Sequence, residues 1–245
     1  MLGCYYRWMA TGRGQRLHRD VLEQLMARIV GGAIQPGEML PREVDLMEEY
    51  DVSRGVARET VRALEERGLV SVKHGIGAFV NDRSRWEKAH TDVLSARMES
   101  NPEATARDCE ECWGPLIVQA AELAATRTPS DYLPHLWETL AEMDRYASRP
   151  AVGSFRPATV PFFTALLKAT GNETLEGWGI CLLQILSAAP SPPVDPYRIQ
   201  TELVPLYRNL LSNIQFANQE EARNSMSRIQ DWEQMTRPSA REMVH

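Results

Sequence analysis

Apolar residues at positions 21, 22, 25, 26, 29 and 30 recur with the helical period, which predicts a first helix from Leu17 to Gly31. The stretch "GGAIQPGEMLP" then breaks the pattern with glycines and prolines. A second, short helix is expected over about Glu43 to Tyr50, bearing Val44, Leu46 and Met47. Residues 52–70, "VSRGVARETVRALEERGLV", place Ala57, Val61 and Leu64 on one stripe, while Arg54, Arg58 and Arg62, a turn apart, fall largely outside it. Ser53 fits the N-cap, Val52 and Ala57 a small hydrophobic staple, and Gly68 the C′ stop. "LVSVKHGIGAFV" follows as two strands joined by a Gly-Ile-Gly turn, with Val70 and Val72 on one face and Leu69, Ser71 and Lys73 on the other. The order is helix, helix, tight turn, helix, hairpin.

After Val80 the composition changes to the polar connector "NDRSRWEKAH", and nothing beyond it reads as strand. Asn101-Pro102 starts a helix that runs to about Ala125, with Pro115 expected to kink or interrupt it. Ser130 is placed to cap a helix bearing Leu133, Leu136, Trp137, Leu140 and Met143. Helical periodicity continues over 155–170, ended by Gly171-Asn172, then over 174–188, 197–216 and 219–235, with the loop "APSPPVDP" between two of these. About six helices of this length make an all-α bundle with room for its own core and an internal pocket. The expected organisation is a leader at 1–16, poorly ordered; a first domain at 17–82; a linker at 83–92; a helical ligand-binding and dimerisation domain at 93–238; and a tail at 239–245. The fold class is mainly α.

Composition narrows the function. At 245 residues, 43% hydrophobic and 24% charged, the chain reads as a soluble globular protein of one large or two ordinary domains. No apolar run reaches the roughly eighteen residues a membrane span needs. The leader "MLGCYYRWMATGRGQR" is basic but lacks the apolar core of a secretory signal, so a cytoplasmic location is expected; Met9 is an alternative start. Four cysteines in such a chain do not suggest a disulfide framework. Cys109 and Cys112 form a lone Cys-x-x-Cys without a second ligand pair at zinc-site spacing, and read as two small core residues on one helix face. Trp137, Trp178 and Trp232 read as core or dimer contacts.

Charge is divided unequally. Residues 1–85 carry 13 Lys and Arg against 12 Asp and Glu, whereas residues 86–245 carry 14 against 21. Affinity for nucleic acid therefore rests on where the arginines stand rather than on bulk charge. On their own, arginines at this spacing are most often a solvated face paired with glutamates such as Glu59, Glu65 and Glu66. On the second helix of a helix-turn-helix with a hairpin behind it, a winged helix, they face the major groove, with the hairpin beside the backbone or minor groove.

Residues 29–80 resemble the winged-helix domain of the GntR transcription-factor family: a G-x-x-x-P-G turn, L-P-x-E, V-S-R-x-x-V-R-x-A-L, G-L-V and G-x-G-x-x-V occur in order. The length and the all-helical second half resemble the FadR subfamily; the β-rich HutC type and the large MocR type do not fit. The resemblance implies DNA contacts from Arg54, Gly55 and Arg58, with Ser53 at the cap and His74 and Gly75 at the wing tip. Arginine suits the task because it grips guanine O6 and N7 bidentately or binds phosphate. Where the family often has arginine in the second helix, this chain has Val44, and Arg42 is the candidate replacement.

Members of the metal-binding kind carry an Asp and three His in the helical domain. Those positions fall here on Thr159, Phe163, Tyr207 and Ile229, none a good ligand for a divalent ion, so no metal and no cofactor is expected. Thr159 and Tyr207 remain as polar candidates for an effector pocket, beside their reading as satisfied core hydroxyls. The phrase "RSRWEKAHTDVL" resembles one found in sugar-acid regulators of the subfamily.

The expectation is a homodimeric regulator that binds a short palindrome in double-stranded DNA and represses until a small organic acid binds the helical domain. Two alternatives stay open: an effector-independent dimeric regulator, and a metal-free regulator responsive to fatty acyl-CoA. An enzyme is not expected, because no nucleophile-base or paired-carboxylate set has persuasive spacing.

Overall fold

A computed structural model of the chain describes residues 13–147, 156–189 and 195–235, so most of the expected leader and the tail at 239–245 lie outside the described residues. Two compact units meet in sequence between Arg107 and Asp108.

In the first unit, helix α1 spans Arg13–Val30, α2 Glu43–Tyr50 and α3 Arg54–Glu66, followed by strands β1, Val70–Lys73, and β2, Gly77–Val80. The α1 stripe of Val21, Leu22, Leu25, Met26 and Ile29 is buried against Leu46 of α2 and Ala57 and Leu64 of α3. Fully burying each leucine contributes about 1.5–3 kcal/mol, so this interior fixes how the three helices cross. Gly68 ends α3 at φ +69°, and its N–H donates to the Glu65 carbonyl at 2.9 Å.

The hairpin pairs Val70 with Val80 and Val72 with Ala78. Expected to share the buried face with Val70, Val72 is instead 47% exposed. Its partner Ala78 belongs to the core, whereas Val72 lies on the opposite strand one pair short of the Lys73–Gly77 end of the hairpin. The sheet also gains a third, short run that periodicity does not reveal. Leu40 N–H donates to the Ala78 carbonyl at 2.8 Å and Val80 N–H to that of Glu38 at 2.9 Å, so the segment before α2 closes the outer edge of β2.

The expected connector is not a free linker. Trp86 is buried and its indole N–H donates to the Asn81 carbonyl at 3.1 Å, while Asn81 itself accepts from Ser71 and donates to the Gly68 carbonyl. Helix α4, Thr91–Ser100, packs on α1, and Arg67 at the end of α3 pairs with Asp92. The first unit thus extends past the boundary expected near residue 82, because the tryptophan and the ion pair fold the chain back onto it.

Helix α5 spans Pro102–Arg127 without a break at Pro115. Pro115 lies on an exposed face, where water can satisfy the carbonyl that loses its N–H partner. The second unit continues with α6, Leu133–Ala147; α7, Arg156–Ala169; α8, Glu173–Ala188; a short α9, Pro196–Arg198; a π turn, Ile199–Leu203; α10, Val204–Gln215; and α11, Gln219–Met235. α6 begins after Ser130 rather than at it; the Leu136 N–H turns back to Tyr132, which takes the cap place. The π turn brings Ile199, Leu203 and Val204 to the interior together, and α10 packs along α11 and α6.

Cys109 is buried but Cys112 is exposed, since the inward stripe of α5 advances in steps of four through Trp113 and Ile117. Of the three tryptophans, Trp232 is buried, Trp137 half-buried and Trp178 exposed, so Trp178 is not a core residue of this chain. Among the described residues no helix is long and apolar enough to cross a membrane.

Candidate nucleic-acid interface

The cap and the buried stripe of α3 decide which side chains its surface carries. Ser53 adopts the extended conformation and its Oγ accepts the Val56 N–H at 3.4 Å, which starts the helix at Arg54 and leaves its first N–H groups pointing outward. Ala57, Thr60, Ala63 and Leu64 are buried, and the Thr60 hydroxyl is satisfied by the Val56 carbonyl. Burial of that stripe forces Arg54, Arg58 and Arg62 onto the opposite, exposed face, where the positive end of the helix dipole reinforces the first of them.

The three guanidiniums are not equivalent. Arg62 is paired to Glu66 at 3.2 Å along its own helix. Arg54 stands 83% exposed with its Nε 3.7 Å from Glu43 of α2, a loose contact that an incoming phosphate or base can replace. Among the described residues Arg58 makes no hydrogen bond or ion pair, and its exposed side chain is free to engage an external anion. Glu65, which by charge alone would oppose the arginines, instead accepts the Val72 N–H at 3.0 Å and ties α3 to the wing.

Gly55 is exposed, and a Cβ built on it meets only Ser53 Oγ at 3.8 Å. The protein itself therefore has no steric need for glycine there, although glycine within a helix costs about 0.5–1 kcal/mol relative to alanine. A bare backbone beside Arg54 and Arg58 suits close approach by a phosphate or a groove wall.

The wing tip places His74 and Gly75 together at the surface. Gly75 holds φ +73° with nothing within 4 Å of a built Cβ, so only its backbone conformation demands glycine. Lys73, just before it, lies over the Phe79 ring at 4.6 Å. Arg42 is exposed ahead of α2, and its N–H donates to Asp45 at 2.9 Å, which fixes the backbone but leaves the guanidinium outside. The expected set thus divides between the start of α3, the wing tip and the residue before α2.

Thr159 and Tyr207 behave differently. Both are buried, and Tyr207 is fully enclosed, edge-on to Phe162 at 4.8 Å and to Phe163 at 6.0 Å. Phe163 in turn meets Trp113 edge-on at 5.3 Å. The Tyr207 hydroxyl reaches Glu233 at 3.5 Å, and burial, with that carboxylate nearby, pushes the phenol well above its usual range. With Ile229 also buried, the four positions that metal-binding relatives would use hold one hydroxyl, one phenol and two hydrocarbons, and a divalent ion does not fit them. Among the described residues no group of three or more His, Cys, Asp and Glu could hold a metal.

Comparison with known proteins agrees with the winged-helix geometry. Residues 17–80 match the family described as bacterial regulatory proteins, gntR family. The galactonate operon transcriptional repressor of Escherichia coli is 31% identical over 162 residues, covering 66% of this chain and 70% of the relative. The Uxu operon transcriptional regulator of the same organism is 29% identical over 163 residues, 66% of this chain and 61% of its own length. A Streptococcus agalactiae GntR structure covers 89% of this chain and 99% of its own, at 21% identity and a TM-score of 0.50, which supports the shared fold. These relatives are transcriptional regulators, not enzymes. Through its winged helix and its likeness to the galactonate repressor over two-thirds of its length, the chain belongs to the GntR family of bacterial regulatory proteins.

Proposed function

We propose that the protein is a cytoplasmic, homodimeric repressor of the FadR subfamily that binds a short palindromic operator. The observation that carries this reading is the exposed, unpaired Arg58 on the capped recognition helix. Arg54 and Arg58 read base edges in the major groove; Arg42, Ser53 and Gly55 hold phosphates or the groove wall; His74 and Gly75 follow the backbone or minor groove. Dimerisation through the helical unit joins two half-sites, so that two modest affinities multiply.

The experiment is selection of bound duplexes from a random library, followed by affinity measurement. Arg58→Ala is expected to lose about 1–3 kcal/mol per half-site on the selected sequence, and Arg62→Ala far less, because Arg62 is already engaged by Glu66. Equal binding by the wild type and Arg58→Ala would overturn the docking.

Relief of repression by a small organic acid completes this reading, supported by the galactonate operon repressor among its relatives. An effector present at about 100 times its dissociation constant adds about 2.7 kcal/mol of stability, so thermal-shift screening against galactonate, other sugar acids and dicarboxylates tests it. A second reading, in which the helical unit only dimerises, is favoured by the Phe162, Phe163 and Tyr207 cluster that closes the place where Thr159 and Tyr207 were expected to line a pocket. Acyl-CoA belongs in the same screen; absence of any shift supports the second reading.

A further inference from the structure

Among the described residues of the first unit, the large hydrophobic side chains left exposed are Met39, Val44, Val72 and Ile76. Three belong to the wing sheet or its edge. Val44 alone stands on a helix, 60% exposed among Glu43, Asp45 and Glu48. Among the described residues nothing covers it. It packs into no core, and a β-branched side chain near the start of a helix is a poorer helix former than alanine.

Its neighbours fix the direction in which it faces. Leu46 points into the core, and Glu49 is bound by Arg28 of α1 at 3.0 Å, so one flank of α2 is turned toward α1. Glu43, at the opposite end, lies 3.7 Å from Arg54, which places the first turn of α2 beside the first turn of α3. By helical spacing Val44, the next residue after Glu43, falls on the flank opposite Leu46 and Glu49, in the same turn whose Glu43 lies beside Arg54.

Val44 has no donor or acceptor, so neither phosphate nor a polar base edge is a partner for it. Of the groups that line the major groove, the one apolar feature is the C5-methyl of thymine. We propose that Val44 packs on a thymine methyl in each half-site and thereby helps determine operator sequence. This rests on the reading of α3 as the major-groove helix.

The test uses the full-length protein and the sequence it selects from a random duplex library. Each thymine in the selected half-site is replaced in turn by deoxyuridine in both halves, which removes only the methyl. One position is expected to lower wild-type affinity roughly fourfold per half-site, about fifteenfold for both, from the lost apolar burial. Val44→Ala, a change on an exposed helix surface, is expected to bind less tightly and to distinguish thymine from deoxyuridine at that position less than twofold. The proposal is overturned if no thymine shows methyl dependence, or if Val44→Ala keeps the wild-type dependence. Failure to enrich any sequence, or undiminished binding by Arg58→Ala, would instead bring down the major-groove reading and this proposal with it.

Discussion

Replacing Gly55 by alanine sets stability and binding in opposition. The residue lies in the first turn of α3, outside the left-handed region, and the added methyl finds Ser53 Oγ at 3.8 Å, an ordinary van der Waals contact. Nothing in the chain needs to move. Alanine restricts the unfolded chain more than glycine and is the better helix former, so the variant gains about 0.5–1 kcal/mol of stability. On a domain whose whole stability is about 5–15 kcal/mol, that is readable as a shift in urea midpoint at unchanged slope. The methyl projects from the surface that Arg54 and Arg58 share, and it holds the backbone away from any phosphate or groove wall. Losing one such close contact in each half-site costs about 1–3 kcal/mol per contact, so affinity for the selected operator falls at least tenfold. Urea titration gives the first quantity and fluorescence anisotropy on labelled duplex the second. A variant both more stable and equally tight would refute the placement of Gly55 at the interface; a less stable one would refute the local packing.

Gly68→Ala and Gly75→Ala both force alanine to positive φ, for about 1–2 kcal/mol, but only at Gly68 does the new Cβ come closer than 3.0 Å to a backbone atom, the Arg85 carbonyl oxygen. Gly68→Ala is therefore expected to destabilise the first unit by at least about 2 kcal/mol more than Gly75→Ala in hydrogen-exchange protection, and equal effects would contradict the Gly68–Arg85 approach. The Tyr207 phenol, raised by burial, stays protonated in the folded chain when an unfolded tyrosine ionises. Its contribution is thus complete below the usual tyrosine value of about 10 and is lost as pH rises above it. Tyr207→Phe should flatten the fall in stability over that alkaline range, and an unaltered slope would show that this phenol does not contribute to it.

Much of the winged helix was legible because its signals are local. The serine before α3, the apolar stripe within it and the glycine after it are near neighbours in sequence, and each does in the structure what its position implies. The edge run at 37–40 was not legible, since its hydrogen bonds reach β2 some forty residues away and leave no periodicity of their own. The connector misled for a related reason. Its polar composition is genuine, but one tryptophan and the pairing of Arg67 with Asp92 anchor it to a surface made by earlier residues. In the helical unit, the family resemblance pointed to non-ligating residues at Thr159, Phe163, Tyr207 and Ile229, whereas the edge-to-face packing among Phe162, Phe163 and Tyr207 depends on two helices far apart in sequence. Val44 shows the same limit from the other side. Its hydrophobicity alone does not reveal that the flank of the helix on which it falls is the open one.

The most direct measurement is a dimethyl sulfate footprint of the selected operator, which reports guanine N7 in the major groove. Arginines of α3 seated in that groove predict protected guanines in symmetry-related positions of the two half-sites, with protection lost for Arg58→Ala at protein concentrations that still saturate the duplex. Guanines as reactive in the complex as in free DNA, or a footprint unchanged by Arg58→Ala, would contradict it.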